Sequence, residues 1–174
     1  PPASDGLRTR VSRPYDAESD VSVFREWLTP NEKWFVRSHF GPPPPAVADP
    51  ARWRLSFSGL VREPQAFGLD DLRQFEEITI AAVLQCSGNG RAHYRPRVPG
   101  VQWERGAVGN ARWTGVRLAD VLAKVGGDHG RARHVQLEGA DRPVLLQTPL
   151  FLRSIPIHKA LHPDTLLATR MNGE

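Results

Sequence analysis

The pattern of apolar and polar residues predicts a mixture of short strands and short helices. Strand patterns occupy four segments of the chain: residues 53–59, 78–84, 134–138 and 144–148. In the first segment apolar and polar side chains alternate, which is the period of a half-buried strand. The second is continuously apolar and partly β-branched, so it predicts an interior strand that ends at Gln85 and Cys86. The last two flank a turn over residues 139–143.

Two short segments carry helical signals. Residues 69–75 predict a helix with two aspartates in its first turn, where negative charge suits the helix N-terminus. Apolar residues recur at helical spacing from Val116 to Val125, and Gly126 follows where helices commonly end. Strands and helices mix without regular βαβ spacing, so the pattern predicts an α+β fold rather than a doubly wound one.

The N-terminal segment differs in composition from the rest of the chain. Residues 1–30 are polar and predict an irregular N-terminal arm on a body formed by residues 31–174, with a rigid polyproline connector at residues 42–45. A length of 174 residues fits one domain. No apolar run approaches the roughly 18–20 residues of a membrane helix. Because the chain does not begin with Met, we expect a mature or trimmed polypeptide whose export signal is out of view.

Positive charge is concentrated in one segment. Residues 88–117 hold six arginines and one acid, a net +5, so the rest of a chain of net charge +4 carries −1. Local charge of this kind favours an anion site over a nucleic-acid surface, and no helix–turn–helix, zinc-finger or RNA-binding signature accompanies it. We therefore expect no nucleic-acid partner and no membrane partner. A single cysteine excludes an internal disulfide, a CxxC pair, a zinc ribbon and a covalently attached c-type haem.

Cys86 ends the apolar run and opens a glycine-rich segment. Glycines let a backbone approach a ligand closely, and nearby arginines favour the thiolate, the form that binds metals or attacks electrophiles. The same residue also fits a small buried hydrophobe, which is the commoner role of a lone cysteine. A nucleophile with His93 as its base and a zinc ligand are further alternatives, although no third group or ligand spacing supports them.

The sequence QCSGNGR at residues 85–91 closely resembles the cysteine loop of the sulfite oxidase family of molybdenum–molybdopterin enzymes. Other stretches resemble that family in the same order along the chain: residues 29–39, 106–122, 137–141, 154–156 and 171–174. The short connection after the cysteine loop resembles the bacterial branch. The resemblance implies a sulfite-oxidase-like molybdopterin-binding fold, with mixed sheets and short helices.

The resemblance also assigns roles to residues. It implies that the Cys86 thiolate binds molybdenum and that Arg37 and Arg91 are catalytic residues facing an oxyanion. It places cofactor contacts at Phe35, Val36, Arg37, Ser38, His39, Cys86, Asp141 and Ser154. Taken by residue type alone, Asp141 also fits a turn and Arg37 a surface salt bridge.

The implied reaction is the oxidation of sulfite, or a related small oxyanion, to sulfate, with electrons passed to an external acceptor such as cytochrome c. Alternatives are a family relative that reduces sulfoxides or nitrate, and a cofactor-less remnant that acts as a binding domain. The resemblance places further contacts, a substrate-site tyrosine and a homodimerisation domain beyond Glu174, so we expect a C-terminally truncated cofactor domain. The expected location is the bacterial periplasm, with the cytoplasm as the alternative.

Overall fold

The computed structural model describes residues 6–41, 45, 49–127, 130–140, 142–143 and 149–174. Within these residues the fold mixes small sheets with short helices, so the predicted α+β class is confirmed. Asp141 and the predicted strand at residues 144–148 lie outside the described residues, as does nearly all of the polyproline connector. No helix in the described part of the chain is long and apolar enough to cross a membrane.

The strands are β1 (Leu7–Val11), β2 (Asp16–Ser19), β3 (Val36–Arg37), β4 (Leu55–Phe57), β5 (Gln65–Phe67), β6 (Glu77–Gln85), β7 (Val108–Arg117), β8 (His134–Glu138), β9 (Leu152–Pro156) and β10 (Leu166–Met171). The α-helices are α1 (Leu69–Leu72), α2 (Leu118–Lys124) and α3 (Ile157–Ala160). Short 3-10 helices span Val21–Arg25, Asn31–Lys33 and Arg91–His93.

The chain divides into two compact units. The first comprises Pro1–Pro42, Ile80–Trp113 and Arg170–Glu174, and the second comprises Pro43–Thr79 and Thr114–Thr169. The sheets have the strand orders β1–β2–β3, β10–β7–β6, β4–β5 and β8–β9. Since the division falls within β6, β7 and β10, each of these strands has residues in both units.

The first unit contains an antiparallel sheet in which β2 lies between β1 and β3. All four residues of β2 are buried, although their sequence is Asp-Ala-Glu-Ser. The expectation of irregular structure over residues 1–30 is therefore wrong for Leu7–Val11 and Asp16–Ser19. The hydropathy pattern fails here because β2 is buried through hydrogen bonds and ion pairs rather than through apolar side chains.

β6 confirms the predicted strand at residues 78–84 but not its interior position. Among the described residues β6 pairs only with β7, at the edge of its sheet. Val83 and Leu84 are 66% and 48% exposed. An apolar run indicates burial on both faces only where other elements cover the strand, and the described residues leave this end of β6 open.

The second unit confirms the predicted helices with altered bounds. α1 is shorter than residues 69–75, and the Asp71 carboxylate accepts a hydrogen bond of 2.8 Å from the Gly68 N–H at its start. α2 begins at Leu118 because Val116 belongs to β7. Gly126 has φ +64 after the helix, as predicted. β8 confirms the predicted strand at residues 134–138 and pairs with β9, which the pattern did not predict.

Candidate active site

Cys86 follows the last residue of β6 in the first unit. Its backbone N–H donates to the Ala107 carbonyl at 2.9 Å, and its own carbonyl accepts from the Asn89 N–H at 2.9 Å. The residue is half-buried and packs against a cluster formed by Phe35, Trp103 and Ala107. The backbone thus fixes the start of the cysteine loop (residues 86–91), while the cysteine keeps some access to solvent.

Arg91 lies at the other end of the cysteine loop, with its guanidinium between two glycines. A Cβ at Gly88 would lie 2.7 Å from Arg91 Nη2, and a Cβ at Gly100 would lie 2.6 Å from Nη1. Nη1 donates to the Val101 carbonyl at 3.0 Å. No ion pair joins Arg91 to a carboxylate within the described residues. Two glycines and a carbonyl therefore hold a cation whose charge remains available to an anion.

The segment from Phe35 to His39 includes β3 and belongs to the same unit. Phe35 is 8% exposed and lies in the cluster against which Cys86 packs, so the structure brings these two predicted site residues together. Arg37 Nη1 lies 3.2 Å from Asp16 Oδ1, and its Nη2 lies 3.2 Å from His39 Nδ1. Arg37 thus has a carboxylate partner, whereas Arg91 has none in the described chain.

Val36 and Ser38 flank Arg37. Val36 pairs with Ala17 in the sheet, and the Ser38 N–H donates to Asp16 Oδ1 at 2.8 Å. The Ser38 hydroxyl accepts from the Gly41 N–H at 2.9 Å. These contacts hold the segment through its backbone and leave its role toward a cofactor a prediction.

The remaining predicted site residues are placed differently. Ser154 lies in β9 of the second unit, opposite Gln136 of β8. Asp141, which the resemblance assigns to the pterin, is not among the described residues. Among the predicted site residues, the contacts therefore join Cys86 with Phe35 and Arg37 with His39.

Two buried carboxylates were missed by the sequence reasoning. The side chains of Asp16 and Glu18 are each 2% exposed. A usable signal existed, because alternating cations at Arg8 and Arg10 precede alternating acids at positions 16, 18 and 20. Opposite charges at a spacing of two residues suit facing strands of a hairpin.

Arg10 is the centre of an ion-pair network with Glu18 and Glu104. Arg10 Nε donates to Glu18 Oε1 at 2.8 Å, and Arg10 Nη2 lies 2.8 Å from Glu104 Oε2. Partial burial acts to lower the pKa of Arg10, but its hydrogen bonds to the two carboxylates outweigh burial and raise that pKa. The hydrogen bond from Arg10 is also the main reason why the pKa of Glu104 lies below its ordinary value.

Trp103 adds an unsatisfied polar atom to the cluster beside Cys86. It is 0% exposed, and its Nε1 has no hydrogen-bond partner among the described residues. A buried indole N–H usually has an acceptor, so this donor is available to a polar group other than the described residues.

Comparison with known proteins agrees with the resemblance. The family described as oxidoreductase molybdopterin binding domain matches residues 40–174. The sulfite oxidase of Gallus gallus is 38% identical over 182 residues, covering 99% of this chain and 38% of that protein. The mitochondrial sulfite oxidase of Drosophila melanogaster is 35% identical over 173 residues, covering 97% of this chain and 29% of that protein. The chain thus spans about a third of the length of these relatives.

A solved structure and a relative with a different activity complete the comparison. The crystal structure of the sulfane dehydrogenase SoxCD from Paracoccus pantotrophus matches with a TM-score of 0.77 at 27% identity, over 99% of this chain and 41% of that chain. A nitrate reductase [NADPH] from Aspergillus niger is 31% identical over 175 residues, covering 97% of this chain and 20% of that protein. The chain therefore belongs to the oxidoreductase molybdopterin binding domain family, that of the sulfite oxidase-like molybdoenzymes, whose cofactor is molybdenum–molybdopterin.

Proposed function

We propose that the protein oxidises sulfite to sulfate. Sulfite gains one oxygen atom from water and loses two electrons, two protons are released, and an external acceptor such as a cytochrome c takes the electrons one at a time. Sequence similarity to the sulfite oxidases of chicken and fly and structural similarity to SoxCD support this assignment. Electron transfer, a periplasmic location and a bacterial source belong to the same proposal.

The observation that carries the proposal is the position of the Arg91 guanidinium and its lack of a carboxylate partner among the described residues. It is held between Gly88 and Gly100 in the loop that begins at Cys86, and no carboxylate in the described chain neutralises it. A planar cation fixed in this way binds two oxygens of an oxyanion at once. Sulfite and sulfate both present such oxygens, whereas a neutral sulfoxide carries no net charge for the cation to attract.

The residues present fit a molybdenum cofactor that brings most of its own ligands. Cys86 supplies one soft sulfur at the end of a strand, and soft thiolates suit such metals. No group of three or more His, Cys, Asp or Glu side chains able to hold a metal ion by themselves occurs in the described ranges. The unpartnered Nε1 of Trp103 lies in the cluster beside this sulfur and offers a buried donor to an incoming polar group.

Each part of the site has a distinct task in this proposal. When bound, the cofactor supplies the oxygen-atom transfer and the two-electron redox change. The Cys86 thiolate would hold the metal, and the hydrogen bond from the Cys86 N–H to the Ala107 carbonyl fixes the cysteine at the strand end. Arg91 and Arg37 bind and orient the anion, while Phe35 keeps water from the inner side of the cysteine.

The proposal is tested by activity assays of cofactor-loaded protein. We expect about one molybdenum atom per chain, as its single cysteine ligand implies, together with sulfite-dependent reduction of cytochrome c. Arg91→Gln should raise the KM for sulfite at least about ten-fold, the effect of losing a bidentate charged contact. The control is Arg105→Gln, which removes an exposed arginine of the same segment and should leave the KM unchanged.

The same assay separates sulfite oxidation from nitrate reduction, which the Aspergillus niger relative makes the second candidate. Loaded protein is offered nitrate with a reduced viologen dye in place of sulfite and cytochrome c. Turnover with sulfite and none with nitrate supports the proposal. The reverse result, or an unchanged KM in Arg91→Gln, contradicts it.

A further inference from the structure

We propose that Asp16 and Glu18 are positioning residues of the candidate active site. The two buried carboxylates of β2 fix separate parts of the site: Asp16 fixes the Arg37 guanidinium, and Glu18 fixes the cysteine loop. The inference rests on the proposed function, because that function makes Arg37 and Cys86 the groups that need to be positioned.

Asp16 binds both the side chain and the backbone of the Arg37 segment. Its Oδ1 lies 3.2 Å from Arg37 Nη1 and accepts the Ser38 N–H at 2.8 Å, while Oδ2 lies 3.4 Å from the same Nη1. The Asp16 carboxylate is 2% exposed and the Arg37 side chain 35% exposed. Nη1 of Arg37 is thus tied to a buried anion, while its Nη2 lies 3.2 Å from His39 Nδ1.

Glu18 reaches the cysteine loop through one peptide segment. Its Oε1 accepts from Arg10, and its Oε2 accepts the Glu104 N–H at 2.8 Å. The carbonyl of Glu104 in turn accepts the Gly90 N–H at 2.6 Å. The buried Glu18 carboxylate therefore fixes Glu104, and the Glu104 carbonyl fixes Gly90 of the cysteine loop.

The segment from Trp103 to Ala107 joins β2 to the cysteine loop along its length. On one side the Ser19 N–H donates to the Gly106 carbonyl at 3.0 Å. On the other side Ala107 accepts the Cys86 N–H, and its own N–H donates to the Asn89 side chain at 3.1 Å. The cysteine loop therefore rests on this segment, and the segment rests on β2.

The two carboxylates share one strand and one face of it, because residues two apart in a strand point the same way. Each has lost nearly all contact with water, so each depends on its own hydrogen-bond donors. Changing one carboxylate should release its own group of donors and leave the other group in place. A purely structural role in stability would instead loosen both groups together.

The experiment labels one residue held by each carboxylate: Arg37 for Asp16 and Cys86 for Glu18. It uses the full chain made in a host that cannot synthesise the cofactor. Cys86 is the only cysteine, so reaction with a thiol reagent reports on the cysteine loop alone. Phenylglyoxal labelling of Arg37, read by peptide mass spectrometry, reports on the other group. We expect Asp16→Asn to speed Arg37 labelling and Glu18→Gln to speed Cys86 labelling, each about ten-fold, as for loss of one charge-assisted hydrogen bond.

Asp20→Asn and Glu26→Gln are the matched controls, because they remove carboxylates that contact neither group, and should change neither rate. If an amide variant fails to fold, Asp16→Glu and Glu18→Asp keep the charge but displace it, and the same separation is expected. Equal acceleration of both rates in each variant, or no acceleration in either, overturns the inference.

A second readout links the labelling to the reaction. In cofactor-loaded protein, Asp16→Asn should raise the KM for sulfite more than it lowers kcat, since it disturbs an anion-binding group. A wild-type protein without sulfite turnover contradicts the proposed function, and the labelling result still decides the positioning roles.

Discussion

β2 and β6 are two strands with opposite composition and opposite burial. β2 is Asp-Ala-Glu-Ser and all four residues are buried, whereas β6 is mainly apolar and has Val83 66% exposed and Leu84 48% exposed. β2 lies between two strands, and β6 lies at a sheet edge in the described structure. The burial of these two strands depends on whether other strands cover them rather than on their hydropathy, provided that each buried polar group has a hydrogen-bond partner.

The largest expected effect comes from removing a buried carboxylate of β2. Glu18→Ala leaves Arg10 Nε and the Glu104 N–H without their acceptor, while Arg10 Nη2 keeps Glu104 Oε2 as a partner. Removing one member of a buried ion pair costs about 3–5 kcal/mol of the free energy of unfolding. Urea denaturation measures the loss. Glu26→Ala, at an exposed glutamate, should cost less than about 0.5 kcal/mol. A loss below about 1 kcal/mol for Glu18→Ala would show that β2 does not depend on its ion pairs.

The next effect concerns the cradle of Arg91, which is the space between Gly88 and Gly100 that holds its guanidinium. In Gly88→Ala the new Cβ would lie 2.7 Å from Arg91 Nη2, so the guanidinium must shift. Because the atom that moves belongs to a flexible side chain, we expect a small loss of stability, about 1 kcal/mol. The KM for sulfite should rise about ten-fold, as for a misaligned charged contact. Ser87→Ala, one residue earlier in the cysteine loop, serves as the control; equal KM values in the two variants would contradict the role of the cradle.

A smaller effect is expected at Asp20, just after β2. Hydrogen bonds from Ser22 and then from Arg8 lower the pKa of this partly exposed carboxyl from 3.8 to about 2. A lowered folded-state pKa stabilises the fold above the ordinary pKa, and that stabilisation is lost as pH falls from about 4 to about 2. The stability difference between wild type and Asp20→Asn should therefore be nearly constant well above pH about 4 and shrink as the pH falls through about 2. Thermal unfolding across this range measures it, and a difference that persists at the lowest pH would contradict the assignment.

The smallest effect is expected on β6. Val83→Thr replaces an exposed apolar side chain by one of similar shape and equal suitability for a strand, so stability should change by less than about 0.5 kcal/mol. The same urea titration measures it beside Glu18→Ala. A loss above about 1.5 kcal/mol would show that Val83 is covered in solution, and the contrast between the two strands would then disappear.

Local patterns predicted the elements that rely on apolar burial or on backbone geometry. The alternation in residues 53–59 and the run at 78–84 correspond to β4 and β6, and Gly126 follows α2 with a positive φ. These features depend on residues close in sequence. The partners of β2 could not be read in the same way, since Glu18 meets the backbone of Glu104 some eighty-six positions further on.

In the candidate site, too, the contiguous motif was predictable and the contacts made by folding were not. The cysteine loop was recognisable as a contiguous motif, and the family that it predicted is confirmed. The cradle of Arg91 was not predictable, because Gly100 lies nine residues from Arg91 and only the folded loop brings the two together. The roles predicted for all the site residues, Ser154 and Asp141 included, stay predictions.

The central claim is that the sulfur of Cys86 binds the molybdenum of the cofactor. X-ray absorption at the molybdenum edge counts the sulfur neighbours of the metal in loaded protein and in Cys86→Ser. The claim predicts one sulfur fewer in the variant, with sulfite turnover lost and the fold retained. Identical sulfur shells in the two proteins, or full sulfite turnover by Cys86→Ser, would contradict it.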